Sequence, residues 1–554
     1  MMKQRFYRTF LVVILIGTSG LFHQSIGQTH RVFVDSLLVK EVAGGESQIH
    51  SATTEILRDL WKKNYLFAQV VQQYDSLTQI HRGDMHPFSI RAIHSTDSSY
   101  VDAHPRGKKS VLARIESLQK QWANTGYPFA RFSLHDIRPE ARGYSARLII
   151  DRGPYISFDT LFLLSKTKTD PAYIEKTLGL PRGESYSEER FQSIRASMTR
   201  LPYLSLRAVP DISFENEEAT IYLDLEEKST NSFEGVVGVL PGQNDGKVLI
   251  TGYFDLELNN LFRTGKAFGL EWNRFAAQSQ SINMSYDHPF FLETRLLFGV
   301  DFSLFKQDTS FVNQALDLSF GTYLGSKGSF KGTYHRSNAN LISTDEQLLH
   351  NQNLVDYRRD IYGISFEVNN YKIPFGFSEG WKLKAAAAAG TKKIRRNPAL
   401  DEHFYDTLKL KSNLFKLDFH FKYQKLIARQ LAFNHRFESG YIHNDQILNN
   451  EMYRLGGLHS FRGFNENFFF AQEYFVNQLE LRQYFESDSY FMLLFDQLYY
   501  QNRDNLDTPI AFGLGLVLSA NNSLFNFAMA VGKSSDIPLN LSAAKIHFGF
   551  TSKF

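Results

Sequence analysis

The 554-residue chain contains no cysteine, which excludes disulfides, thiolate chemistry and acylation of the lipoprotein kind. Net charge is nearly absent too: 61 Lys and Arg against 58 Asp and Glu leave +3, no footprint for nucleic acid. Beyond the first residues, no apolar run approaches the roughly 18 residues of a spanning helix. The 17 histidines include no H-E-x-x-H, and no G-x-S-x-G elbow occurs, so metal-dependent hydrolysis and a lipase-type site have no support. The stretch LPGQNDGKV (Leu240 to Val248) has Pro241 where a phosphate loop requires its first glycine. It reads instead as an outer hairpin. Neither an enzyme, a metal site, a cofactor nor a nucleotide is expected.

What the chain has in excess is aromatic residues: 49 Phe and 27 Tyr, at a mean hydropathy of −0.30. Both can hold only if apolar and polar residues are finely interleaved. The N-terminus is basic (MMKQRFYRTF), then apolar (Phe10 to Gly17), then small (Ser25 to Gly27). This is a signal-peptide pattern over residues 1–27, too short to span. The exported chain is then soluble, or it crosses a membrane as a barrel.

From about Gln28 to Lys228 helical and strand patterns mix and recur. LRDLWKKNYLFAQV (Leu57 to Val70) returns as LQKQWANTGYPFARF (Leu118 to Phe132), with a weaker echo at Ile194 to Val209. Three α/β repeats are expected, at 28–92 (complete or truncated), 93–153 and 154–230, each in the order strand, helix, helix, strand, strand. In the last, Asp170 precedes Pro171 and Ser187 precedes Glu188 and Glu189, two helix-start signatures.

After Asn231 the period changes to two. FKLDFHFKY puts Phe415, Leu417, Phe419, Phe421 and Tyr423 on one face and Lys416, Asp418, His420 and Lys422 on the other. At the C-terminus, Ile546, Phe548, Phe550 and Phe554 share a face. A soluble sandwich also alternates, but seldom with so many aromatics outside. Apolar-out, polar-in strands of about 9–11 residues are the pattern of a transmembrane barrel. About sixteen fit between 231 and 554. Long connections are read at 337–357, 390–411 and 441–472, and tight ones at NNLFRTGK and ESDSY. KKIRR (Lys392 to Arg396) reads as outer loop, where anionic lipopolysaccharide could meet it, and KAAAAAG (Lys384 to Gly390) as small residues of a strand that accommodate a folded-in loop.

One stretch breaks the alternation: RLGGLHSFRGFNENFFF (Arg454 to Phe470). Taken alone, its arginine fits a solvated loop tip. Together with α/β repeats ahead of a sixteen-strand array, it resembles the BamA/TamA superfamily of outer-membrane assembly factors, the bacterial surface antigen family. Their repeats are POTRA domains, and their sixth outer loop carries [VI]-R-G-[FY] after paired glycines. Here Gly456 and Gly457 precede Phe461, Arg462, Gly463 and Phe464, and the strand count puts the stretch between strands eleven and twelve. The resemblance implies that the loop folds into the lumen and locks Arg462 to an aspartate of strand thirteen, for which FMLLFDQLYY supplies Asp496. Two residues depart from the family pattern: Phe461 replaces a β-branched residue and Leu498 a common glycine.

The resemblance further implies an outer-membrane protein with its repeats in the periplasm, handling unfolded outer-membrane or secreted clients without ATP. The implied fold class is α+β POTRA repeats followed by an all-β transmembrane barrel. The modest repeat number points to a TamA-like or accessory role, with Phe548, Phe550 and Phe554 as a terminal strand signal. Other expected partners are outer-membrane lipids, lipopolysaccharide and periplasmic or lipoprotein accessory subunits. Two rivals stand beside this: a two-partner secretion pore for one cognate exoprotein, and a passive channel or surface antigen. Secretion pores usually have two POTRA units and a plug helix, where this chain has the strand-like HRVFVDSLLV.

Overall fold

A computed structural model describes residues 29–554 except 44, 66, 75, 97–100, 103–110, 142, 181, 242–247, 277, 326, 372–378, 458–459, 487, 504 and 521–522. The segment 1–27, expected to be a signal peptide, and the tip of the Leu240–Val248 hairpin therefore lie outside the described residues. The chain divides into two compact units, 1–155 and 156–554.

The first unit holds two four-stranded sheets. In one, Thr29–Val34 is flanked by Leu37–Ala43 and, in parallel, by Leu77–His81, with Gln69–Tyr74 outermost. Helix Glu46–Lys62 seats Ala52 and Ile56 on Val32, Val42 and Ile80. The other sheet orders Val101–Asp102, Phe88–Ser95, Gly143–Asp151 and Arg131–Glu140, and helix Val111–Ala123 sets Leu118 on Ile93, Leu148 and Ile150. Strand Phe88–Ser95 thus straddles the boundary read at 92/93.

In both sheets a second strand stands where the repeat pattern called for a first helix, so the expected order is corrected there to strand, strand, helix, strand, strand. The cause in the first is local. Asp35 and Ser36 have φ of 47° and 75°, a tight hairpin turn between β-favouring VFV and LLV.

The second unit opens with an α/β domain that has the expected order, with a short extra strand pair, Leu204–Leu206 and Leu225–Glu227, added to it. Asp170 accepts from Ala172 N at 2.9 Å with Pro171 at the first helical position, capping Pro171–Leu178. Ser187 accepts from Arg190 N to cap Glu188–Ser197. Both helices cover the sheet Asp211–Glu215, Glu218–Leu223, Ser157–Leu163, around Ile174, Leu178, Ile194, Ile221 and Leu223.

The rest is a closed antiparallel barrel of sixteen full strands, with a two-residue strand Leu506–Asp507 inserted. They are β1 Ser232–Pro241, β2 Val248–Leu261, β3 Lys266–Ala276, β4 Ser279–Phe291, β5 Leu296–Gln307, β6 Phe311–Leu324, β7 Gly328–Leu341 and β8 Tyr357–Asn369. There follow β9 Gly380–Ile394, β10 Lys411–Ala428, β11 Leu431–Asn444, β12 Glu473–Tyr484, β13 Tyr490–Gln501, β14 Ile510–Ala520, β15 Ser523–Lys533 and β16 Lys545–Lys553.

Large apolar side chains remain exposed on the outer face, among them Tyr362, Ile364, Leu417, Phe491 and Phe527, as lipid contact requires. The α/β domain docks on one rim. Tyr173 meets Phe290 edge-on at 5.8 Å, Arg200 lies 4.2 Å over Tyr323, and Asn260 Nδ2 donates to Thr169 Oγ1 at 2.9 Å. Burial lowers the pKa of Arg200, with Tyr323 and Tyr173 opposing.

At the other rim the long connections are shorter than the alternation suggested, because strands run on to Leu341, Ile394 and Asn444. KKIRR is corrected accordingly: Lys392, Lys393 and Ile394 end β9. The period of two continues through them because inward Lys392 finds a buried acceptor.

Candidate functional site: a loop folded into the barrel and a thin seam

The connection between β11 and β12, residues 445–472, folds back on itself. Tyr453–Leu455 pairs with Phe469–Ala471 as a short hairpin, and the turn between them carries the arginine. Gly456 and Gly457 both have positive φ, and Ser460 Oγ bonds both Gly456 O (2.7 Å) and Gly456 N (2.8 Å), which tightens the turn. Gly463 (φ 84°) lies so close to the wall that a Cβ there would come 2.9 Å from Gly532 N and 3.0 Å from Ala511 Cβ. Phe464 lies across Gly532, where a Cβ would meet its ring at 2.2 Å.

Arg462 is 4% exposed and Asp496 0%. The guanidinium grips the carboxylate at two points, Nη2 to Oδ1 at 2.5 Å and Nε to Oδ2 at 2.8 Å, and Arg462 backbone N adds a third bond at 3.1 Å. This planar fork fixes orientation as well as distance. Gln478 Nε2 donates to the same carboxylate at 3.1 Å. Glu480 on β12 receives Arg462 Nη1 at 2.5 Å and is held from below by Arg482 at 2.6 Å. A chain of alternating charge, Asp496–Arg462–Glu480–Arg482, thus ties loop to wall, in a setting where an unpaired member would be costly.

Sequence inspection missed Glu480. The available signal was that Gln478, Glu480 and Arg482 share the inward face of β12, opposite Asp496 in register (Gln478↔Asp496). The two departures from the family pattern pack in one cluster: Phe461 and Leu498, both 0% exposed, belong to the core that includes Phe464, Phe469, Tyr500 and Ala511.

A second anchor lies higher in the loop. Lys392 Nζ on β9 meets Glu451 Oε1 at 2.7 Å, the side chains 1% and 0% exposed, and also donates to Gln446 O. Leu448 N shares the same Glu451 oxygen at 2.8 Å. Around them Tyr357 Oη donates to Asn450 O (3.1 Å), and Tyr453 Oη to Asp418 (2.7 Å). Arg454 lies 4.3 Å over Phe305. The loop is therefore fastened to β5, β8, β9, β10, β12 and β13.

The seam is built differently. β12 and β13 pair along twelve residues, from Glu473↔Gln501 to Tyr484↔Tyr490. β1 and β16 pair through three: Ser232↔Lys553, Phe233↔Ser552 and Glu234↔Thr551. One side-chain bond, Thr551 Oγ1 to Glu234 at 3.1 Å, reinforces them on the inner side. From Gly235 on, β1 is paired with β2 alone, and β16 from Lys545 to Phe550 with β15 alone. On the outer face the ring of Phe548 meets that of Phe527 at 5.0 Å and the ring of Phe550 meets that of Phe525 at 5.1 Å, each pair tilted. Phe554, exposed, follows the strand, its N–H on Asn231 O at 3.0 Å.

No protein-family model matches the chain, and no curated protein matches it in sequence. Solved structures do. CdiB from Acinetobacter baumannii is 12% identical with a TM-score of 0.53, over 95% of this chain and 90% of that one. CdiB from Escherichia coli is 11% identical with a TM-score of 0.54, over 92% and 98%. BamA from Haemophilus ducreyi lacking POTRA domains 1–3 is 13% identical with a TM-score of 0.43, over 82% and 96%. What is shared with the two CdiB structures at such identities is the fold alone, α/β repeats ahead of a sixteen-strand barrel.

Proposed function

We propose that this chain is an outer-membrane assembly or translocation factor, its α/β repeats in the periplasm, which pairs client strands with its own edges and passes them through a gated barrel. The observation that carries the reading is the seam. Three residue pairs hold β1 to β16, so much of each strand offers unpaired N–H and C=O groups to lipid. Such groups are costly in hydrocarbon until re-paired, and an incoming client strand re-pairs them by β-augmentation. The chemistry is strand exchange and draws on no nucleotide. Loop and wall supply the fixed side against which the seam can open, with Phe548 and Phe550 on the terminal strand beside it. A TamA-like or accessory role suits the small number of repeats.

The absence of native cysteine makes the test clean. A Glu234→Cys, Thr551→Cys pair should oxidise across the seam, since directly opposed residues bring Cβ atoms close to disulfide range. Oxidised protein should fail to insert a reporter barrel into liposomes and regain activity on reduction. Full activity with the seam locked would end the lateral reading.

The likeness to CdiB favours a second reading, export of an unfolded exoprotein through the lumen. There the loop must leave. A Phe464→Cys, Gly532→Cys tether should then block transport while the seam lock does not.

A further inference from the structure

The outer face of β9 is unlike the rest of the wall. Ala385, Ala387 and Ala389 succeed one another on it, while the same level of β8 carries Phe366, Ile364 and Tyr362 and that of β10 carries Phe419, Leu417 and Phe415. The alanines form the floor and their neighbours the sides of a notch. At Ala385 and Ala387 it widens into a mainly apolar depression of about 570 Å³ that reaches Phe475, with Glu473 at its far side.

Above the notch the outward positions change character. Arg358, Lys393 and Lys411 stand abreast in one register row on β8, β9 and β10. One row below, Asp360 binds both Arg336 and Arg358 at 2.9 Å. Like charges directly opposite on neighbouring strands repel, and four cations face one carboxylate. Such a row is stable when an anion lies across it.

We infer that this face is a binding site for one phosphorylated glycolipid of the outer leaflet, the lipid A portion of lipopolysaccharide. Its phosphate would lie on Arg358, Lys393 and Lys411, and one acyl chain along Ala389, Ala387 and Ala385. This rests on the outer-membrane placement proposed above, and on no part of the client mechanism.

The dimensions agree. From Ala385 to Lys393 the strand rises about 26 Å at ~3.3 Å per residue. At a tilt of about 40° this is roughly 20 Å of depth, from headgroup level to near the midplane of a ~30 Å core. The cations lie at the long-connection end, which assigns the lipid to the outer leaflet. Guanidinium and ammonium groups together are a phosphate-binding set.

Native mass spectrometry of the full-length protein in detergent, titrated with bis-phosphorylated lipid A, tests the site. One lipid should bind per barrel. Lys393→Glu should weaken binding at least about tenfold, since each basic residue near an anionic lipid is worth several-fold and reversal counts twice. Ala387→Phe fills the notch without touching a charge and should weaken it comparably. Unaltered heat-modifiable migration would show that both variants, on the lipid-facing side, still fold.

Equal binding of dephosphorylated lipid A, equal binding of phosphatidylglycerol, or an Ala387→Phe protein of unchanged affinity would each overturn the assignment. Reporter insertion measured on the same samples keeps the two proposals apart. Wild-type protein that binds lipid A but inserts nothing refutes the assembly reading alone. Protein that inserts but shows no one-to-one lipid refutes this one alone.

Discussion

Two stretches of one barrel wall are held together by different means. Along β12 and β13, full-length pairing is reinforced from inside by a loop whose arginine engages both strands, and further round by the Lys392–Glu451 pair on β9. Along β16 and β1, three residue pairs, the Phe554 N–H to Asn231 O bond just beyond them and one side-chain hydrogen bond close the cylinder. Identical backbone chemistry therefore gives a rigid sector and a weak one. A sheet closed evenly would have no preferred place to open. Stiffness concentrated on one side directs any opening to the other, because strain relaxes where the fewest bonds must break.

The comparison breaks most severely at Arg462. Arg462→Ala leaves Asp496 buried without a counter-charge, and Asp496→Ala leaves Arg462 with Glu480 as its one remaining carboxylate, each at a cost of up to about 3–5 kcal/mol. Both should lower the unfolding midpoint in detergent and the activity to a similar degree. Arg462→Lys should recover part of the loss, and the double variant should be little worse than either single, since both remove one interaction. Additive defects would show that the pair does not act as a unit.

The buried Lys392–Glu451 pair sharpens the same contrast. Lys392→Met or Glu451→Gln alone should destabilise by up to a similar few kcal/mol, about 3–5 if the site stays dry. The combined Lys392→Met, Glu451→Leu protein should regain part of that in urea unfolding, since an apolar pair of like volume replaces a desolvated ion pair but leaves Gln446 O and Leu448 N without those partners. A double variant as unstable as the singles would mean that the bonds to Gln446 O and Leu448 N outweigh the ion pair itself.

Gly463→Ala comes next. A positive φ and a wall less than 3 Å from the new methyl should cost about 1–3 kcal/mol and increase trypsin cleavage within 445–472, with Arg462 and Asp496 unchanged. Protection equal to wild type would show that the loop can shift to make room.

The smallest effect is expected at the seam. Thr551→Val removes one hydrogen bond, worth about 0.5–1.5 kcal/mol. Global unfolding should hardly move, while crosslinking of a cysteine pair at Phe233 and Ser552 should slow as the seam frays. A large loss of global stability would contradict the division into rigid and weak sectors.

Alternation along the chain by itself specified the number of strands, which face of each meets lipid, and that the glycine-flanked arginine lies in the connection between β11 and β12. It did so because a period of two with one apolar face has a single solution in a membrane. The helix starts at Asp170 and Ser187 were legible for the same kind of reason, since a cap is satisfied by its own neighbours.

Partnership across the lumen was not legible. Glu438, Glu480, Arg436 and Arg482 are all inward charges on adjacent strands, and nothing local says which of the acids receives Arg462. Lys392 read as a loop cation because its acceptor is 59 residues further on. Phe461 and Leu498 looked like independent departures until packing put them in one core. The narrowness of the seam belongs to this class too. Both strands are plain in the sequence, but their stagger is decided by closure of all sixteen, since a barrel's register is a sum over every strand pair and no single pair contains it.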